Sequence, residues 1–373
     1  MNNQHTRAQE ISAHAASLLS TGQGEKARQL FAEAAELEAK AIDLVPPDKA
    51  RTRSILSISH ASLLYKAGKL KEAERCIFAY LSAGNLADWG EAQLRELLNV
   101  VTDEYLLVSA TGRRYSGESI TMALRGGEIG TGTGPLDLVL EKAAGFRSLL
   151  YRTAEWVGQF PLRRHGPPAK ELLDLVQARV TEPAIGSYTL EIRLTEPVQP
   201  DLYEPPKVPP SEVSDGLFAF LDCLTSGAPE DLDHIIPQPG YRKALLQLTR
   251  NIVPGGKRIR EISIYRKKYD RLQSICLTDA VPPRIREAIP KEEVAAEERW
   301  TDRGTLRALH LDNDWLVIAK DDGTHVRAST VPELLDDVVG PMVNRRVVVT
   351  GTQSQPGLEK RFLVSEIELA DEG

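Results

Sequence analysis

Cysteine is scarce in this chain: Cys76, Cys223 and Cys276 are the only three, an odd number at wide spacings. That pattern suits reduced, mostly buried thiols better than a disulfide framework or a cysteine zinc site. Long apolar runs are also missing. Nowhere do 18 consecutive apolar residues occur, so no membrane-spanning helix is expected. The polar stretch Met1 to Glu10 lacks the apolar core of a secretory signal, and the expectation is a cytoplasmic protein with no membrane partner.

Catalytic signatures are absent as well. The histidines His5, His14, His60, His165, His234, His310 and His325 are scattered, none at ligand spacing from another or from a cysteine, so no metal site is expected. No nucleophile elbow, zincin, Walker or kinase motif is present. Asp321-Asp322-Gly323 reads as a β-turn, and the acidic cluster Glu230, Asp231 and Asp233 reads as a helix start. No catalytic residue and no cofactor are therefore assigned, which favours a binding protein over an enzyme.

What the chain does contain is an ordinary globular composition, 42% hydrophobic and 27% charged. Its 373 residues are enough for two or three domains, and three are expected. The net charge of -7 is unevenly spread: residues 237–275 hold ten basic residues against two acidic ones, while 300–373 hold eight against thirteen.

An internal repeat opens the chain. From Ser17 the apolar residues Leu18, Leu19, Ala27, Leu30, Phe31, Ala34 and Leu37 recur at helical spacing around a Gly22 to Gly24 turn, which predicts a helical hairpin. The pattern returns from Ala61 with one constant offset: Gly68 matches Gly22, Ala73 matches Ala27, Ile77 matches Phe31 and Tyr80 matches Ala34. Small Ala27, large Phe31 and small Ala34 resemble the tetratricopeptide family over residues ~11–85. The departures are a longer period, Tyr80 at a small position and the late Pro46. A closing helix is expected at Trp89 to Asp103. The resemblance implies a helical-repeat domain, 1–105, exposing a surface for a protein partner.

An α+β domain is expected over 115–290. It holds a strand at Glu118 to Arg125, a helix from about Leu136 to Val157, a helix from about Ala169 to Ala178 and a strand at Gly186 to Leu194. The stretch 196–212, with six prolines, predicts an extended connection. Helices at Val213 to Thr225 and Arg242 to Asn251 and strands at Arg258 to Arg266 and Arg271 to Leu277 follow. Between the first strand and first helix lies a glycine loop, where Gly127, Gly130, Gly132 and Gly134 form a candidate anion or nucleotide site.

Residues 300–373 read as strand, strand, strand, helix, strand, strand. That order resembles the oligonucleotide/oligosaccharide-binding fold, with an SH3-like barrel as the alternative. The fold class is thus multidomain: an all-α repeat region, an α+β domain and a small all-β barrel. Three functions are expected from it. The first is a non-enzymatic adaptor recruiting a protein through the helical repeats. The second is a nucleic-acid-binding regulator using the basic segment 241–271, with Arg242, Lys243, Lys257, Arg258, Arg260, Arg266, Lys267 and Lys268 as polyanion contacts, and the barrel alongside. The third is a nucleotide or anion sensor at the glycine loop.

Overall fold

The computed structural model describes residues 3–20, 23–130, 133–179, 188–198, 208–226, 231–254, 257–268, 271–289, 299–330, 336–354 and 361–370. The chain divides into two compact units, Met1–Arg114 with Pro197–Gln199, and Tyr115–Glu196 with Pro200–Gly373.

The first unit is helical: α1 Asn3–Ser20, α2 Gly24–Asp43, α3 Ala50–Lys66, α4 Leu70–Ala83 and α5 Asp88–Thr111. The repeat register seen in the sequence is carried into the packing. Ala15 and Ala61 are buried on α1 and α3, Ala27 and Ala73 on α2 and α4, and Phe31 and Ile77 one turn further along. Small residues let helix axes approach, and each large one then fills the space between them, at about 1.5–3 kcal/mol for a fully buried aromatic or aliphatic side chain. Tyr80 breaks the small-residue pattern because it reaches across to α3, where its hydroxyl lies 2.6 Å from His60 Nδ1. Between α1 and α2, His5 Nδ1 lies 2.9 Å from both carboxylate oxygens of the buried Glu38.

The second unit begins with β1, Arg113–Arg125, whose first two residues belong to the helical unit. It continues through α6 Leu136–Val157, α7 Lys170–Leu175, β2 Val176–Arg179, β3 Tyr188–Pro197, α8 Pro210–Ser226, α9 Leu232–Ile235, α10 Pro239–Ile252, β4 Glu261–Lys268, β5 Arg271–Leu277 and α11 Val281–Ala288. The strands form one sheet in the order β2-β3-β1-β4-β5. Alternation sets its two faces. Ile120, Met122 and Leu124 of β1 and Ile262 and Ile264 of β4 join Phe146, Leu149 and Leu150 of α6 and Leu217, Phe220 and Leu221 of α8 in the core. Thr121, Arg125, Tyr265 and Lys267 alternate with them and keep access to solvent.

The last stretch holds β6 Arg299–His310, β7 Trp315–Ala319, β8 His325–Thr330, α12 Asp336–Val339, a 3-10 turn Gly340–Met342, β9 Arg346–Ser354 and β10 Arg361–Leu369. The five strands close on themselves in the order β10-β8-β7-β6-β9. All neighbours are antiparallel except β8 and β10, which pair in parallel at Ser329 with Leu363 and at Thr330 with Val364. Barrel residues such as Leu306, Leu316 and Val349 belong to the same continuous core as the sheet and its helices.

Several expectations are corrected. The helix expected from Ala169 to Ala178 stops at Leu175, because Val176 to Arg179 pair with β3, with Val176 opposite Leu194. Here strand pairing overrides local helical spacing. The first strand starts at Arg113 rather than Glu118, since the polar run Arg113 to Gly117 shows no apolar alternation. Helix α11 was not anticipated: Pro282 and Pro283 suggest a loop, yet proline is tolerated in a first helical turn. Most of the proline-rich connection, residues 199–207, lies outside the described residues, as do Glu230 at the expected helix start and residues 331–335 of the helix expected before β9. Among the thiols, Cys223 is buried and Cys76 half-buried, whereas Cys276 is exposed because it falls on the outward side of β5.

Candidate functional site

Several side chains of the basic segment are engaged with acidic groups of the protein. Arg242 donates to the Ile236 carbonyl at 2.9 Å and pairs with Asp233 at 3.0 Å. Arg250 pairs with Glu366 and Glu368 of β10 at 2.8 and 3.0 Å. Arg266 is buried, stacks over Phe218 with its guanidinium 4.4 Å from the ring centroid, and reaches Ser214, Gln273 and Asp215 at 2.6, 2.8 and 2.8 Å. Lys268 also pairs with Asp215. Burial pushes the Asp215 carboxyl up, but hydrogen bonds from Lys268 and Arg266 outweigh it and hold the carboxyl below its ordinary range. Lys257, Arg260 and Lys267 are exposed and Lys243 half-buried, distributed over α10, the turn before β4 and β4 itself.

Arg258 joins this segment to the glycine loop, the other site suggested by the sequence. Its guanidinium lies 3.0 Å from Glu128 and 3.1 Å from Asp137, and those two hydrogen bonds raise its already high pKa. The same bond holds the Asp137 carboxyl below its ordinary range. Four loop amides already have acceptors within the protein: Glu128 N–H donates to the Arg258 carbonyl, Ile129 to Gly126, Gly130 to Thr133 and Thr133 to Gly130. Gly127 has φ +67°, and a Cβ there would stand 2.3 Å from the Arg258 carbonyl oxygen. At Gly134 a Cβ would stand 2.9 Å from Ile129 Cδ1, a contact that the end of the Ile129 side chain can relieve by shifting. Gly132 lies outside the described residues. The loop thus packs against the turn before β4, and Glu128 and Asp137 stand beside it, paired with Arg258.

Sequence reasoning missed a cleft of about 520 Å³ between α6 and the barrel. From α6 it receives Glu141, Ala144, Arg147, Ser148 and Tyr151; from the far wall Asp336, Asp337, Pro341, Met342 and Arg345; Arg163 and Pro167 to Pro168 close one end. An ionic network forms its base. The buried Arg152 pairs with Glu155 at 2.9 Å and Asp337 at 2.7 Å, and it donates to the Arg163 carbonyl at 2.7 Å. Arg163 adds Glu155 at 2.8 Å and Asp337 at 3.4 Å, and these carboxylates raise its pKa against the opposing effect of burial. At the other end Arg345 binds Glu141 at 2.7 Å. No motif announces this cleft because its walls come from residues about two hundred positions apart.

On the outer face of the barrel, three neighbouring strands bring an aromatic and basic group together. Trp315 of β7 lies 5.3 Å from the His310 ring of β6, and the Arg327 guanidinium of β8 stands 4.5 Å from its centroid. Arg327 and His325 are exposed.

On the helical unit, Ile55, Phe78, Trp89 and Leu106 leave large apolar areas exposed. Ile55 and Trp89 flank a close contact in sequence: Gly90 lies against Ser54, whose Oγ accepts the Ala87 amide at 2.9 Å. Among the described residues no group of three metal-ligating side chains comes together, and no helix is long and apolar enough to cross a membrane. Comparison with protein-family models, with curated proteins and with solved structures returned no match.

Proposed function

We propose that the chain is a non-enzymatic adaptor whose N-terminal helices hold a protein partner. The observation that carries this reading is the helical unit itself. Two hairpins in one register and a closing helix, α5, bury their own core and still expose Ile55, Phe78, Trp89 and Leu106. Large exposed apolar side chains on a self-sufficient helical array fit an interaction surface. The small-large-small pattern of Ala27, Phe31 and Ala34 supports a tetratricopeptide-like reading of it.

The test uses the full chain as bait, compared with the double variant Ile55→Glu, Trp89→Glu. Partners captured by the parent chain are expected to be lost from the variant while its helicity is kept. An unchanged set of partners rejects the reading.

A second reading, nucleic-acid binding, is favoured by the Trp315 group rather than by the basic segment. A closed five-stranded barrel with a helix between its third and fourth strands supports the oligonucleotide/oligosaccharide-binding resemblance. Trp315 with Arg327 offers stacking and a phosphate contact on one face. Labelled single-stranded DNA and RNA are the probes. Binding is expected to weaken as salt rises and to fall in Arg327→Ala, whereas no binding at low salt removes this reading.

A further inference from the structure

We infer that the cleft between α6 and the barrel binds a small organic anion, a carboxylate or phosphate ester on an apolar body, with Arg147 as its charge partner. This goes beyond the adaptor reading and does not depend on it.

Size comes first. A cleft of about 520 Å³ lies within the range of about 300–1,000 Å³ that small-molecule sites occupy. Its walls combine apolar surface from Ala144, Leu173, Met342 and Leu369 with an equally large set of polar and charged side chains, the first suited to cover a ligand's body and the second to orient its head group.

The charge pattern selects the sign of the ligand. Each carboxylate in the lining already has a partner: Glu141 binds Arg345 at 2.7 Å, Asp337 binds Arg152 at 2.7 Å, and Asp336 accepts the Gly166 amide at 2.7 Å with Arg163 at 3.5 Å. The Oδ1 atoms of Asp336 and Asp337 lack hydrogen-bond partners but are shielded from solvent, so they offer nothing to a ligand in the cleft. Arg147 is different. It is exposed, and among the described residues it makes no ion pair.

Two further donors stand beside it. Ser148 and Tyr151 line the cleft from the same helix, and neither side chain makes a hydrogen bond among the described residues. Arg147 and Tyr151 are one helical turn apart, which places them on one face, and the Arg147 charge is felt by the Tyr151 phenol. Burial raises the pKa of that phenol, so it remains a protonated donor at neutral pH. A guanidinium, a hydroxyl and a phenol that line one cleft from one helix suit a carboxylate or phosphate. A cationic ligand would instead meet Arg147 beside two other guanidinium groups.

Calorimetric titration of the full chain tests this with indole-3-acetate and AMP as anionic probes. Tryptamine and adenosine supply similar bodies without the anion, and inorganic phosphate supplies the anion without the body. At least one anionic probe is expected to bind at one site per chain, with its uncharged or cationic counterpart at least about tenfold weaker, the change expected from losing one charge-assisted hydrogen bond. Arg147→Ala should weaken that probe by a similar factor and Arg147→Lys by less. Ala144→Trp should block it by filling the cleft without altering charge. Both positions are exposed, so melting temperatures should be unchanged. The inference is overturned if neither anion binds at millimolar concentration, if inorganic phosphate binds as tightly as either probe, or if binding survives both Arg147→Ala and Ala144→Trp.

Discussion

At the scale of single residues, Gly90 shows how close contact restricts the helical unit. A Cβ there would stand 2.4 Å from Ser54 Oγ and 2.5 Å from its Cβ, and Ser54 is held in place by the Ala87 amide. Gly90→Ala is therefore expected to destabilise this unit by about 1–3 kcal/mol, the usual range for overpacking. Urea unfolding followed by helical circular dichroism measures it, and an unchanged midpoint contradicts the packing argument. Asp215 gives a pH prediction. Its carboxyl is held below its ordinary value when folded, so its stabilisation is fully present above the unfolded value of 3.8 and is lost as pH falls through the folded one. Removing one of the responsible donors with Lys268→Met should make the acid-induced loss of stability shallower. Equal slopes for parent and variant would show that the lysine contributes nothing.

At the scale of elements, α6 is tied to the barrel by charge as well as by apolar packing. Arg152 is buried on α6 and binds Asp337 at the start of α12, nearly two hundred residues away in sequence. Desolvating such a network offsets much of its Coulombic attraction, yet removing one member strands the others. Arg152→Met leaves Glu155 with only Arg163 and deprives Asp337 of its closest partner, and a loss of about 3–5 kcal/mol is expected. Chemical denaturation read by tryptophan fluorescence checks it; a loss under about 1 kcal/mol would mean that Arg163 alone compensates. The elements differ in how far the sequence exposed them. Helix α6 runs over Leu136–Val157, as its apolar spacing predicts, because a long amphipathic face carries its own signal. The short pair α7 and β2 departs from the helical spacing of its sequence because four residues of strand are stabilised by β3, a partner that local spacing does not encode.

At the scale of the whole molecule, the two units have separate cores: one built around Phe31, Ile77 and Leu94, the other around the sheet, its helices and the barrel. Separate cores predict unfolding that departs from a single two-state transition. Ile77→Ala, which empties a fully buried site, should lower the stability of the helical unit by about 2–5 kcal/mol. It should leave the transition reported by the second unit in place, while Arg152→Met does the reverse. Differential scanning calorimetry on both variants separates these outcomes, and a single transition shifted equally by either substitution contradicts separate cores. Residues 115–290 and 300–373 are expected from the sequence as two domains, and their described apolar residues share one core, with Trp300 and Val349 in the same cluster as Phe146.

Periodicity and duplication were enough to reveal the N-terminal helices and most of the later strands, since each is a local pattern along the chain. The fate of charge was not legible in the same way. Ten basic residues in one segment look alike in the sequence, and folding brings Asp215, Asp233, Glu128, Glu366 and Glu368 beside Arg242, Arg250, Arg258, Arg266 and Lys268 while Lys257, Arg260 and Lys267 stay exposed. The glycine loop likewise looks like an anion cradle in the sequence, and folding bonds the amides of Glu128, Ile129, Gly130 and Thr133 to carbonyls of Arg258 and of the loop itself. Composition determined how many charges and glycines there are, while the tertiary structure decided which were already engaged. Ion pairs and loop contacts form between residues distant in sequence, and the cleft containing Arg147 exists only because α6 and the barrel meet.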